Sequence, residues 1–175
     1  PSIPYTCGMR NANNWPKVLL ASRSPRRREF LTRAGVPHTA EHPGFDDSLL
    51  RPGAVSPREW VAALAYLKAW AGAQLPPARD ANVVLGADTT CVKDGRMLGT
   101  PEDESEAAAM LGALSDSEHD VITGVAIIDT ASGERSIFAD TARVRVGRLT
   151  GAMIDDYVRT GGWKQESSQM WWRLV

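Results

Sequence analysis

Short apolar runs and amphipathic stretches alternate along this chain. Lys17-Val18-Leu19-Leu20-Ala21 is a short apolar run that reads as a buried strand. Ser24 then stands at an N-cap position and Pro25 at the first helical position, where its missing N–H costs nothing. Phe30, Leu31 and Ala34 give that helix an apolar face, and Gly35 ends it. The stretch from Val36 to Arg51, rich in Pro, Gly and Asp, predicts a loop or an edge strand. Ser56-Pro57-Arg58-Glu59 is a capping box opening a second helix that runs to about Ala71 and stops at Gly72. Trp60, Leu64, Leu67 and Ala71 form its apolar face, with Val61 and Ala65 beside them.

Leu75 to Asp80 is too rich in proline for either regular element and reads as a linker. Val83 to Val92 is the best strand in the chain, apolar on both faces at first and then interrupted by Asp88-Thr89-Thr90. Asp94-Gly95 signals a hairpin. A third helix is predicted from about Pro101 to Leu114, its apolar face made by Ala107, Met110, Leu111 and Leu114. His119 to Ile128 reads as a strand, Asp129 to Gly133 as its turn, and Glu134 to Val146 as the partner that pairs back. A last amphipathic helix uses Leu149, Met153, Ile154, Tyr157 and Val158 and ends at Gly161-Gly162. Strands interleaved with helices place the chain in the α/β class. The tryptophan-rich tail from Trp163 has neither period, and there are no internal repeats.

Composition narrows the function classes. At 175 residues, 43% hydrophobic and 23% charged, the chain suits one globular domain with a substantial core. Its net charge of −1 gives no global field for a polyanion, so nucleic acid and anionic membrane surfaces are not expected partners. Cys7 and Cys91 make neither a disulfide framework nor a metal cluster. No apolar stretch approaches the ~18 residues of a membrane helix. Residues 1–16 read as a flexible lead-in without a secretory signal, which makes the cytoplasm the expected compartment.

The basic character is local. Arg26, Arg27 and Arg28 occupy the first turn of the helix after Ser24, where each opposes the helix dipole by roughly 0.3–1 kcal/mol at an exposed site. The helices opened by Ser56 and by Thr100-Pro101-Glu102-Asp103-Glu104 carry acid in that turn, as the dipole prefers. A phosphate docked on the helix N-terminus and the arginine forks would relieve the conflict, with the hydroxyls around Ser22-Arg23-Ser24 exposed beside it. The bland alternative is a solvated basic turn. Asp88 follows a buried run, where open α/β sheets place ligands at the strand's carboxyl end, and a carboxylate there is costly without a purpose. The pair Asp46-Asp47 is solvated or capping unless other residues support it. Lys68, beside the apolar face, reads as a snorkelling surface lysine, and His119 as a structural or surface histidine and not a catalyst.

These stretches together resemble the Maf family of nucleoside triphosphate pyrophosphatases, from Val18 to about Trp163. Leu20 to Arg27 reproduces the family's Leu-Ala-Ser-x-Ser-Pro-Arg-Arg, and Gly86-Ala87-Asp88-Thr89 its Gly-Ala-Asp-Thr. Lys68-Ala69 matches its Lys-Ala, and His119 to Gly124 its His-x-Val-x-Thr-Gly. The resemblance implies an elongated mixed β-sheet with flanking helices, two lobes around a cleft, related to the inosine triphosphatase fold. It implies a Maf-like domain over 17–163 and an atypical tail over 164–175. The implied activity is house-cleaning hydrolysis of dTTP, UTP or modified pyrimidine nucleotides to a monophosphate and pyrophosphate, with a divalent cation, Mg²⁺ or Mn²⁺. Asp88 would be general base or metal ligand, with Asp47 a second metal ligand answering the family's usual Glu. Ser22, Arg23, Arg26, Arg27, Lys68 and Thr89 would bind substrate. The Gly-Ala-Asp-Thr version, with Arg26 and Thr89, points to the dTTP/UTP branch over the one acting on 7-methyl-GTP. The family also points to a homodimer.

The chain departs from the pattern twice. Thr100 stands where the family's Gly-Lys-Pro has Lys, though Thr100 can still cap its helix. After Trp163-Lys164 the sequence differs from the family's Asp-Lys-Ala-Gly-x-Tyr-x-Ile-Gln-Gly, which implies loss of a phosphate-side Lys and a base-reading Gln. Two other readings therefore stand beside the enzyme. One is a catalytically inactive remnant that binds nucleotide or a partner protein. The other is nucleic-acid binding through Arg23 to Arg33, against which the near-neutral charge and the few nearby aromatics argue.

Overall fold

The structure, a computed structural model, describes residues 15–47 and 50–164. Most of the lead-in and of the tail, from residue 165 on, lies outside those residues. Six strands form one mixed sheet: β1 (Val18–Ala21), β2 (His38–Glu41), β3 (Val83–Lys93), β4 (Arg96–Leu98), β5 (Ser117–Asp129) and β6 (Arg135–Val146). Their order is β2-β1-β3-β5-β6, with β4 paired to β3. Four helices accompany them: α1 (Pro25–Arg33), α2 (Pro57–Ala73), α3 (Glu104–Leu114) and α4 (Gly151–Arg159). This is the α/β class with the mixed sheet and flanking helices that the resemblance implies.

Contacts divide the chain into two compact units, one taking residues up to 49, 65–87 and 126–137, the other 50–64, 88–125 and the rest from 138. In the first unit β1 lies parallel between β2 and β3, in register Ala21↔Glu41 and Ala21↔Gly86. All four β1 residues are buried, as a central parallel strand requires. Leu19, Ala21, Val84, Ala78 and Ala81 form one core cluster, and Ala65, Ala69, Ala126 and Ile128 another. Small residues set the spacing here. A Cβ on Gly86 would collide with the α2 backbone at Ala65 and Ala69, and one on Gly72 would come within 2.5 Å of the Ala21 Cβ.

Gly72 is therefore a packing residue inside α2 and not its stop. The buried face of that helix is Val61, Leu64, Ala65, Ala69 and Gly72, one position round from the predicted Trp60-Leu64-Leu67-Ala71 row. Its capping box forms as expected, the Ser56 N–H donating to Glu59 Oε2 at 2.8 Å and the Glu59 N–H to Ser56 Oγ at 3.3 Å. Two further expectations fail nearby. Pro76–Asp80 forms a 3₁₀ turn, which tolerates prolines at its start, where no N–H is needed. No residue of α1 is buried, and Phe30 is 62% exposed, so its apolar positions do not make a core face.

In the second unit Cys91, Ala107, Leu111, Leu114, Val146, Val158 and Trp163 form the core, with Tyr157 and Ile154 against it. Trp163, the first residue of the unpatterned tail, is buried and its Nε1–H donates to Val158 O at 3.0 Å. Asp94 and Gly95 both have positive φ, 49° and 76°, giving the predicted two-residue hairpin between β3 and β4. Thr100 does not cap α3. Asp103 does, accepting from the Glu106 N–H at 2.8 Å, and the helix starts at Glu104. An acid there outcompetes a hydroxyl because its charge also meets the dipole. On α4, capped by Thr150, Met153 is exposed and not part of the packed face.

Candidate functional site

In the first unit the chain leaves β1 at Ala21 and turns through Ser22 and Ser24 into α1. Both serines are buried, 7% and 6% exposed, against the expectation of exposed hydroxyls. The reason is local. The Ser22 Oγ accepts from the Ser24 N–H at 3.2 Å and from Arg27 Nη1 at 3.2 Å, so the serine folds inward to tie strand end to helix start. Ser24 is the N-cap residue as predicted, but its side chain caps no N–H. Arg26 and Arg27 are half-buried, whereas Arg23 and Arg28 are exposed. No acid stands in the first turn of α1. Its far end closes with Gly35 at φ 67° and the Val36 N–H on Leu31 O, the two-bond C-terminal motif that glycine permits.

Two expected site residues from distant parts of the sequence meet in the same unit. Lys68 Nζ lies 2.8 Å from Asp47 Oδ2, with side chains 18% and 37% exposed. Lys68 thus reaches beyond the apolar face of α2 to a carboxylate, and Asp47 is more than a solvated loop acid.

In the second unit Asp88 is half-buried, inside β3 and not at its carboxyl end, because the strand continues through Thr89 and Thr90 to Lys93. β3 outruns β1, whose pairing stops at Gly86. Thr89 Oγ1 and Thr123 Oγ1 are hydrogen-bonded at 3.0 Å. Thr123 belongs to the His119–Gly124 stretch that the sequence singled out without giving it a role. His119 is buried, and burial, reinforced by the charge of Lys93 and opposed by Asp120, pushes its pKa down. Burial pushes the Cys91 thiol up to about 12, so it is a core residue and no nucleophile.

Among the described residues no three or more His, Cys, Asp and Glu side chains gather to hold a metal. A hard divalent cation takes one or two carboxylates and completes its shell with phosphate oxygens and water, so a carboxylate such as that of Asp47 or of Asp88 is the donor type that Mg²⁺ or Mn²⁺ accepts. Among the described residues no helix is long and apolar enough to cross a membrane.

A family model described as Maf-like protein matches residues 17–168. The dTTP/UTP pyrophosphatase of Pelotomaculum thermopropionicum is 41% identical over 145 residues, which cover 83% of this chain and 73% of that protein. The dTTP/UTP pyrophosphatase of Moorella thermoacetica is 43% identical over 146 residues, covering 83% of this chain and 72% of its own. That of Symbiobacterium thermophilum is 41% identical over 145 residues, covering 83% and 71%. Among solved structures, the Staphylococcus aureus Ham1 protein aligns with a TM-score of 0.47 at 13% identity, covering 74% of this chain and 71% of its own.

Proposed function

The chain belongs to the Maf family, and from that membership we propose that it hydrolyses nucleoside triphosphates of the dTTP/UTP class, cleaving between the α and β phosphates to release a monophosphate and pyrophosphate. The domain that does so spans residues 17–163. The observation that carries this reading is the first turn of α1, where Arg26 and Arg27 stand half-buried at a helix N-terminus that holds no acid. Helix N–H groups and guanidinium forks together favour a docked anion such as a phosphate.

The proposed roles follow from the chemistry. Arg27, braced by Ser22, and Arg26 neutralise phosphate charge, which rises further as the anhydride breaks. The Ser22 hydroxyl proton and exposed Arg23 add donors to the same ligand. Lys68, held by Asp47, is a second phosphate contact. Thr89 contacts the nucleoside and contributes to the choice of substrate. Asp88 would hold the cation or, where it is not itself a ligand, take the proton of the attacking water, and Asp47 is the further carboxylate that the family resemblance offers as a metal ligand. When bound, Mg²⁺ or Mn²⁺ supplies charge neutralisation on the phosphate oxygens and lowers the pKa of water.

Pyrophosphate release from dTTP, UTP, CTP and 7-methyl-GTP, with and without Mg²⁺ or Mn²⁺, tests the reading. Metal-dependent release that disappears in a folded Asp88→Asn variant is expected. Nucleotide binding without release from any of the four would favour the inactive, nucleotide-binding remnant, to which Thr100 in place of a lysine lends some support. Light scattering on the same sample checks the homodimer that family membership suggests.

A further inference from the structure

We infer that the Lys68 ammonium stands in for the divalent cation on Asp47, so that the two exchange at that carboxylate and Lys68 turns to phosphate only as the cation arrives. The inference rests on the proposed roles of Asp47 as a metal ligand and of Lys68 as a phosphate contact. Its physical basis is the ion pair itself, Nζ to Oδ2 at 2.8 Å, on side chains 18% and 37% exposed.

A carboxylate already in contact with one cation binds a second only against the repulsion between the two. Partial burial strengthens that repulsion, because less water lies between the charges to screen it. A carboxylate freed of its ammonium is the better ligand, and the displaced ammonium needs a new anion, which the phosphates carried with the cation supply. Lys68 is built to make that move. The α2 backbone around it is fixed, since a Cβ on Gly86 of β3 would lie 2.2 Å from Ala65 O and 2.5 Å from Ala69 N. Strand and helix are thus in direct backbone contact on either side of Lys68. Its four-carbon stem swings the charge while the backbone stays still, and the ammonium is a point charge with no planar fork to realign. The pair therefore keeps the Asp47 carboxylate a weak metal ligand in the free protein and ties its opening to a metal-bearing nucleotide.

The test titrates Mn²⁺ alone, followed by its electron spin resonance signal, into nucleotide-free protein. Wild type is compared with Lys68→Met, Lys68→Arg, Asp47→Asn and the Lys68→Met/Asp47→Asn double variant, and a thermal melt on each reports folding. Lys68→Met should bind Mn²⁺ about three- to tenfold tighter than wild type, the size of a part-exposed ion pair weighted by the cation's double charge. Lys68→Arg, which keeps the charge, should bind no tighter than wild type, and Asp47→Asn should cancel the gain in the double variant. Binding by Lys68→Met no tighter than by wild type, equal tightening in Lys68→Arg, or a gain that survives Asp47→Asn would overturn the inference. Pyrophosphate release by wild type without tightening in Lys68→Met sinks the exchange alone. Tightening without release supports the exchange and overturns the enzyme reading alone.

Discussion

Lys68 on α2 and Asp47, twenty-one positions earlier, form an ion pair at 2.8 Å. Neither residue draws attention alone, since a lysine beside an apolar helix face and an acid in a loop are both common on surfaces. Their pairing gives the proposed phosphate lysine a fixed direction before substrate arrives. With side chains 18% and 37% exposed, the pair itself is worth at most about 1 kcal/mol to folding. Asp47→Asn and Lys68→Met should therefore leave the melting temperature nearly unchanged. Lys68→Met should nonetheless raise KM for UTP by roughly ten- to a hundredfold, the range of a lost charged hydrogen bond. A large drop in stability with unaltered KM would reassign the pair to structure.

The turn between β1 and α1 separates two roles that neighbouring residues play. Ser22 is buried and accepts from the Ser24 N–H and from Arg27. Ser22→Ala strands both donors in a site with little water, which costs about 1–3 kcal/mol. Arg26, half-buried at the first turn, carries charge at an end of the helix that does not want it. Arg26→Ala should weaken nucleotide binding. Nucleotide titrations should show weaker binding in both variants and denaturant melts a loss of stability in Ser22→Ala; unaltered binding in Arg26→Ala, or unaltered stability in Ser22→Ala, would refute the assignment.

What was legible in the chain divides along the same line. Local chemistry read well: the Ser56–Glu59 box, the Asp94-Gly95 hairpin, the Gly35 stop and the apolar runs of β1 and β3 depend on residues close in sequence. Side-chain surroundings did not, because they depend on what distant elements bring. The apolar period of α2 favoured the Trp60 row, yet the sheet accepts the row containing Ala65, Ala69 and Gly72, since only small side chains let the β3 backbone approach. Phe30 looks like core and is exposed. The Ser22 hydroxyl looks exposed and is buried, because Arg27 one turn on folds back over it. Among the candidate site residues, the motif pattern singled out Lys68, Asp47, Thr89 and Asp88, but not that Lys68 meets Asp47 or that Thr89 meets Thr123.

Two glycines should respond in opposite directions to the same methyl group. At Gly124 an added Cβ meets the backbone of Val61, which cannot rotate away. Gly124→Ala should destabilise the fold by about 3 kcal/mol or more, the range of forced overpacking. Gly112 lies within α3 with nothing within 4 Å of the same methyl position. There alanine removes unfolded-state entropy and should stabilise by about 0.5–1 kcal/mol. Urea melts of the two variants decide the matter, and a stable Gly124→Ala protein would mean that β5 and α2 are not held as closely as described.

Acid should weaken the fold in a window set by His119. Its pKa is depressed chiefly by burial, with the charge of Lys93 adding and that of Asp120 opposing. In the unfolded chain the same imidazole titrates near 6.5. Between the two values the unfolded state binds more protons than the folded one, so stability rises with pH there and falls as pH drops below about 6.5. Each unit of depression contributes about 1.4 kcal/mol to that fall. Glu59 and Asp129 are also depressed, by hydrogen bonds from Ser56 and Ser132, but as carboxylates they act only near and below their ordinary values of 4.5 and 3.8. The His119 window can therefore be read separately from theirs. His119→Gln, of similar reach and without a titrating proton, should flatten the dependence of unfolding free energy on pH between about 5 and 7 while leaving the carboxylate-driven loss below it. Denaturant melts at intervals across that range measure the slope directly, and an identical slope in the variant would remove His119 as its source.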